Sequence, residues 1–142
     1  MIAGIAHVAI YCRDIERSVD FYSRVLGTTE LFTKTKPDGS LWYVYLHAGS
    51  RTFLELFPLP EGGKPQEGAN PGVAHICLGV DDIHESARRV LAEGWQLEGE
   101  PRIGGDGNWQ VWTVDPDGVR IELMQMMPDC LQYKALEEKG LA

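Results

Sequence analysis

The sequence predicts an α+β fold made of two βαβββ modules, and two observations point to it. The first is an internal repeat: IAHVAIYCRDIERS (5–18) aligns without gaps on VAHICLGVDDIHES (73–86), an offset of 68. Ala6, His7, Asp14, Ile15 and Ser18 meet Ala74, His75, Asp82, Ile83 and Ser86. The second is that FLELF (53–57) aligns on RIELM (120–124) at nearly the same offset, with Glu55 facing Glu122. Two matches in order describe one duplicated unit of about 68 residues, too long and too few-fold for a solenoid.

Each copy reads as a strand, a helix and three further strands. Residues 5–11 are apolar and β-branched without a breaker, and Asp14 then opens a helical pattern. Ile15, Val19, Tyr22 and Leu26 form its apolar stripe, and Gly27 ends it. In the second copy Asp82 opens, Ile83, Ala87, Val90 and Leu91 form the stripe, and Gly94 closes. Either aspartate can accept hydrogen bonds from the first-turn amides. Three strands follow Gly27, in TTELFTKTK, LWYVYLHA and RTFLELFP, with turns at 37–40 and 48–50. After Gly94 come a weaker strand at 97–103, then NWQVWTVD and VRIELMQM joined by the turn 115–118. The expected organisation is one domain over 1–142, with modules at 4–58 and 73–126 and a Pro/Gly-rich linker at 59–72. The polar tail 127–142 has room for a short helix.

Composition narrows the function classes. Of 142 residues, 21 are acidic and 13 are Lys or Arg, a formal charge of -8 with no basic stretch. That speaks against a nucleic-acid or anionic-membrane partner. A 44% hydrophobic content is enough for a core. No apolar run approaches the ~18 residues of a membrane span, and the N-terminal stretch lacks the basic region of a signal peptide. Three cysteines, Cys12, Cys77 and Cys130, are odd in number and lack CxxC spacing. Reduced thiols in a cytoplasm are the expectation.

The chemistry lies in the duplicated positions. His7 and His75 sit in the first strand of each copy, and Glu55 and Glu122 in the last. An ionisable group inside LEL or IEL is costly to bury unless charge or metal compensates it. Taken singly, each histidine is better read as a satisfied core residue, and each glutamate as the partner of an arginine such as Arg51 or Arg120. Four in register favour a metal site instead. If the copies pack by a pseudo-twofold, two imidazoles and two carboxylates converge. Such a set suits one divalent Ni, Co, Zn, Mn or Fe(II), with positions left for water or substrate.

These residues also carry a family resemblance. HVAIYCRDIERSVDFYSRVLG resembles the first strand and helix of the vicinal oxygen chelate superfamily, and DPDGVRIELMQ its last hairpin. That superfamily includes glyoxalase I, methylmalonyl-CoA epimerase, extradiol dioxygenases, and fosfomycin- and bleomycin-resistance proteins. The resemblance covers about residues 4–126. It implies paired modules curling into a cupped mixed sheet, with metal ligands at His7, Glu55, His75 and Glu122. The carboxylate at Glu55 favours the four-ligand branch, lactoylglutathione lyase-like enzymes and the CoA epimerases. Their shared chemistry is proton abstraction beside a metal-chelated carbonyl through an enediolate. Glu122 is then implied as ligand and base, with Glu55 as its symmetric counterpart. Glyoxalase I usually holds glutathione with an Arg and an Asn where this chain has Tyr11 and Leu59. The implied substrate is therefore a small oxygenated carbonyl compound not linked to glutathione. The CoA epimerases commonly have Gln at the Glu55 position.

Around this set, Tyr11, Asn108, Trp109 and Trp112 are the expected substrate-binding residues. GGDGNWQVW (104–112) reads as a lip supplying amide and indole donors, or equally as a glycine-rich hairpin whose tryptophans pack. Trp42, Tyr43 and Tyr45 read as core or interface aromatics, His47 and His84 as surface histidines, and Cys77 as a small buried hydrophobe. A homodimer is expected, since small modules gain core by pairing sheet edges. Two rival functions stand beside the lyase or isomerase. One is an Fe(II) dioxygenase that manages with three ligands; the other is a non-catalytic small-molecule binding or resistance protein.

Overall fold

The computed structural model describes residues 4–64 and 72–141, so residues 65–71 of the expected linker lie outside the described residues. The chain forms two compact units: Met1–Asn70 with Asp115–Gly118, and Pro71–Val114 with Val119–Ala142.

The first unit contains β1 (His7–Cys12), α1 (Ile15–Asp20) continuing into a π-helical turn at Phe21–Val25, β2 (Thr29–Thr35), β3 (Leu41–His47) and β4 (Phe53–Pro58). Its sheet has the order β1-β4-β3-β2. The β1–β4 pair is parallel, and the others are antiparallel. The second unit contains β5 (Ile76–Gly79), α2 (Ile83–Ala92), β6 (Arg102–Ile103), β7 (Trp109–Val114), β8 (Arg120–Gln125) and α3 (Leu131–Glu138). The order β5-β8-β7-β6 repeats the first unit strand for strand, again with the outer pair parallel. The repeat in sequence is thus a repeat of topology, and the fold is α+β with two four-stranded mixed sheets.

Both helices start as their aspartates predict. Asp14 accepts from the Arg17 amide at 3.1 Å and Asp82 from the Glu85 amide at 2.9 Å. Gly27 and Gly94 end them at φ of 83° and 76°, a left-handed conformation in which a Cβ would be strained. The apolar stripes differ from expectation. In the first helix Ser18, Phe21, Tyr22 and Val25 are the buried positions, whereas Ile15, Val19 and Leu26 are half-buried. The wide turn explains the slip at Leu26: its amide reaches Phe21, five residues back, so side chains beyond Phe21 rotate away from their 3.6-residue phase. In α2, Leu91 is exposed rather than buried. The weak strand at 97–103 shrinks to two residues.

Each sheet buries one face. In the first unit Ile10, Cys12, Val44, Leu46, Leu54 and Leu56 form the core with Phe21, Tyr22 and Val25. In the second, Ile76, Val111, Ile121 and Leu123 pack with Ile83, Ala87 and Val90. Each such aliphatic side chain contributes about 2 kcal/mol through its burial. Strand alternation then leaves His7, Ala9, Tyr11, Phe53, Glu55 and Phe57 on the uncovered face of the first sheet. The first unit also includes a polar clasp, buried at Tyr22 and exposed at Arg13. The Tyr22 hydroxyl donates to Asp115 at 2.9 Å, and the Arg13 guanidinium donates to Asp117 at 2.7 Å. Burial raises the Cys12 thiol beside it to about 11.

All three cysteines are free; Cys12 and Cys130 are buried, while Cys77 is exposed rather than buried. Among the described residues, no helix is long and apolar enough to cross a membrane.

Candidate metal centre

His7 is the first residue of β1, and the parallel register sets it opposite Phe53 and sets Ala9 opposite Glu55. One step along β4, the His7 Nε2 lies 3.4 Å from a Glu55 carboxylate oxygen. On the other side of β4, Glu55 is the register partner of Tyr45 in β3. The Tyr45 hydroxyl reaches back across β4 to the His7 Nδ1 at 3.2 Å. Tyr45 is itself lodged among rings, stacked on Phe32 at 5.0 Å and tilted against Phe53 at 5.6 Å. Its hydroxyl is held above the ordinary phenol range, first by burial and then by the Glu55 carboxylate.

The second pair has the same build. His75 stands immediately before β5 rather than within it, with its Nε2 3.2 Å from Glu122 in β8. Glu122 pairs with Cys77 on one side and Trp112 on the other. Although the residue is exposed, partial desolvation of its thiol, with the Glu122 carboxylate next, pushes Cys77 up to about 12. Trp112 meets the edge of His75 at 4.8 Å and donates its indole N–H to Gln110 at 2.9 Å. The Arg120 guanidinium sits 4.3 Å over the Trp112 ring and is paired with Glu98 at 3.2 Å. Both glutamates therefore answer to histidines, where the alternative reading from sequence gave them arginines.

The pairs have the chemistry a divalent cation asks for. Ligand atoms bound at ~2.1 Å stand roughly 3.0 Å apart at a right angle and roughly 3.4 Å apart at a tetrahedral one. The two Nε2–carboxylate distances, 3.4 and 3.2 Å, fall within that range. Each His offers a side-chain nitrogen and each Glu an oxygen, a set suited to borderline first-row metals. Among the described residues, no three His, Cys, Asp or Glu side chains form one metal-holding group, so each pair stands as a half-site.

The four expected substrate contacts fall in different places. Tyr11 is 60% exposed on the uncovered face of the first sheet, its ring 6.0 Å from Phe57. Trp112 borders the second pair. Trp109, by contrast, lies against His84 of α2 at 4.9 Å, on the helix side of the sheet. Asn108 is fully buried. Its amide nitrogen donates to Asp106 at 2.9 Å and to Gln132 at 3.0 Å, and its oxygen accepts from the Met127 amide at 2.8 Å. Gln132 and Asn108 together hold the Asp106 carboxyl below its usual range. This knot fastens the glycine-rich loop to the start of α3. Gly104 leaves space for the Gln110 carboxamide, which a Cβ would strike. A shallow cleft of about 330 Å³, bordered by Asp81, Gln125 and Tyr133, contains none of the candidate residues.

Sequence reasoning missed Tyr45 as a neighbour of the first pair, whereas the lip it read at 104–112 already contained Gln110. The period-two run Tyr43, Tyr45, His47 was the available signal for Tyr45, because alternation places all three on one face of β3.

A duplicated βαβββ unit carrying a His–Glu pair in each copy defines a class, and comparison with known proteins agrees. Residues 4–123 match the Glyoxalase/Bleomycin resistance protein/Dioxygenase superfamily, and the chain belongs to it. A probable lactoylglutathione lyase from Synechocystis sp. is 29% identical over 123 residues, covering 85% of this chain and 94% of that one. An ethylmalonyl-CoA/methylmalonyl-CoA epimerase from Cereibacter sphaeroides is 29% identical over 134 residues, covering 89% of this chain and all of its own. The crystal structure of a lactoylglutathione lyase from Agrobacterium tumefaciens superposes with a TM-score of 0.65 at 25% identity, over 87% of this chain and 94% of that one. The family-level reading is a glyoxalase-like lyase or isomerase.

Proposed function

We propose that this chain is a divalent-metal-dependent lyase or isomerase that moves a proton beside a carbonyl on a small oxygenated substrate. The supporting observation is the duplicated His–Glu pair, with Nε2–carboxylate distances of 3.4 and 3.2 Å on matching strands of two matching sheets. His7 with Glu55, and His75 with Glu122, would each supply two ligands to a divalent Ni, Co, Zn, Mn or Fe(II). The cation, as a Lewis acid, supplies stabilisation of the negative charge that develops on the carbonyl oxygen.

The protein's own groups do the rest. Glu122 takes the proton from the carbon on a carboxylate oxygen and returns it to the neighbouring carbon. Glu55 is its counterpart in the other half. Tyr11 and Trp112 bound the substrate; Asn108 and Trp109 act at one remove, by shaping the loop and strand that carry Gln110 and Trp112. Tyr11 offers no guanidinium to a carboxylate, so the substrate is not linked to glutathione, although several relatives are named for that chemistry. The working unit is a homodimer.

Elemental analysis of the purified protein tests the reading first, and about one divalent ion per pair of half-sites is the expected content. Solvent deuterium should then enter the reacting carbon of a thioester, 2-oxoaldehyde or keto-sugar substrate. A protein that takes up no divalent ion, or a Glu122→Gln variant with unchanged turnover, would sink it.

A further inference from the structure

We propose that Tyr45 is the positioning residue of the His7 half-site, serving as hydrogen-bond acceptor to the His7 Nδ1–H when Nε2 binds a cation and as donor to Nδ1 when it does not. This rests on the metal reading above and adds a residue to it. The placement comes from three neighbouring strands. His7 on β1, Glu55 on β4 and Tyr45 on β3 share the uncovered face, and the sheet order is β1-β4-β3. The hydroxyl must therefore span two strand spacings, about 9.6 Å, to reach the imidazole, and it arrives at 3.2 Å. The imidazole is gripped at both nitrogens, with Glu55 3.4 Å from Nε2 and Tyr45 at Nδ1.

A neutral imidazole carries one proton, so one nitrogen donates and the other accepts. A carboxylate only accepts. Facing Glu55, the metal-free ring keeps its proton on Nε2, and Nδ1 accepts from the Tyr45 O–H. Giving the Nε2 lone pair to a cation requires the proton on Nδ1 instead. A hydroxyl can satisfy both arrangements by rotating; a carbonyl or carboxylate in its place would satisfy only the second. Tyr45 can rotate its O–H without moving its ring, which Phe32, Phe53 and Tyr43 hold at 5.0, 5.6 and 6.0 Å. The ring edge of His7 also rests on Tyr45, at 6.0 Å and 65°.

Among the described residues, the second unit shows no such device. The residue opposite Glu122 there is Trp112, whose indole is a donor only and gives its N–H to Gln110. His75 therefore serves as an internal control in the same molecule.

The test uses the full chain and its Tyr45→Phe and Tyr43→Phe variants, with Zn(II) alone as the probe. Affinity is read by calorimetric titration. Long-range proton–nitrogen spectra of the imidazoles give the tautomers at about pH 9, above the ordinary imidazole range of ~6.5. In the wild type, His7 should carry its proton on Nε2 without Zn(II) and on Nδ1 with it. Tyr45→Phe keeps the ring packing and should lower Zn(II) affinity about 10- to 100-fold, the usual effect of removing a ligand's hydrogen-bond partner. The His7 tautomer signals should shift in that variant while those of His75 do not, and Tyr43→Phe should leave affinity and tautomers alone. Unchanged affinity in Tyr45→Phe, or an equal loss in Tyr43→Phe, overturns the assignment. Wild-type protein that takes up no Zn(II) overturns the metal reading itself. Independently of metal, His7 spectra indifferent to Tyr45→Phe in the metal-free protein overturn the clamp.

Discussion

The two half-sites share a scaffold and differ in what surrounds it. Each has a histidine where the outer strand begins, His7 as the first residue of β1 and His75 just before β5, and a glutamate in the parallel strand beside it, with side-chain separations within 0.2 Å of each other (3.4 and 3.2 Å). Beside Glu55 lie Ala9 and Tyr45, within a field of rings that includes Phe32, Phe53 and Phe57. Beside Glu122 lie Cys77 and Trp112, with the Arg120 cation stacked on the tryptophan. Glu122 is also the more enclosed carboxylate, its side chain 8% exposed against 14% for Glu55. Duplication has thus kept the groups suited to ligating a cation, along with the strand pairing that aligns them. The neighbours have diverged, so two chemically equal pairs sit in unequal settings. The proposed reaction uses that inequality, with Glu122 moving the proton and Glu55 mainly holding.

The sharpest way to break the comparison is to remove one carboxylate charge at a time. Glu122→Gln should lower kcat by about 10³-fold, the scale of a lost general base, and Glu55→Gln by markedly less, in steady-state assays at matched metal content. Equal losses would mean that the settings do not differentiate the pair. Next in size, Asn108→Ala should destabilise the second unit by about 2 kcal/mol, because the half-buried Met127 amide loses its acceptor and Asp106 and Gln132 lose a shared donor. Denaturant unfolding measures that, and the first pair's metal affinity should be untouched. Cys77→Ala removes a thiol that has no counterpart at Ala9. A several-fold change in turnover at constant metal content is expected, read from kcat in parallel with Ala9→Ser.

The smallest effect concerns acid. The Asp106 carboxyl is held below its usual range by Gln132 first and Asn108 second. Its contribution to stability is therefore complete above the unfolded value of ~3.9 and is lost as pH falls through the lower folded value. Below about pH 4, amide exchange at Met127 and Leu131 should rise in the second unit before exchange in β1 and β4 does.

Much of this molecule is legible in its sequence because it is local or repeated. Asp14 and Asp82 cap the helices, Gly27 and Gly94 stop them, and the repeat offset identifies the His and Glu positions without reference to packing. Other features escape because they depend on what lies across a sheet. The π turn at Phe21–Val25 shifts the buried face of the first helix, and no residue in FYSRV announces it. Leu91 continues the apolar stripe of α2 in sequence yet points to solvent. Asn108 looks like a free amide in a glycine-rich loop; its oxygen and both its amide hydrogens are taken up by Asp106, Gln132 and Met127.

The sequence by itself determined the duplicated α+β architecture, the helix ends and the identity of the four His and Glu side chains. Periodicity, capping and repetition are properties of the chain read along its length. Only tertiary structure decided that each glutamate meets a histidine rather than an arginine, and that Tyr45 reaches His7 while Trp112 turns to Gln110. Those contacts depend on the register between strands far apart in sequence. A shift of one residue there would turn each side chain to the opposite face of the sheet.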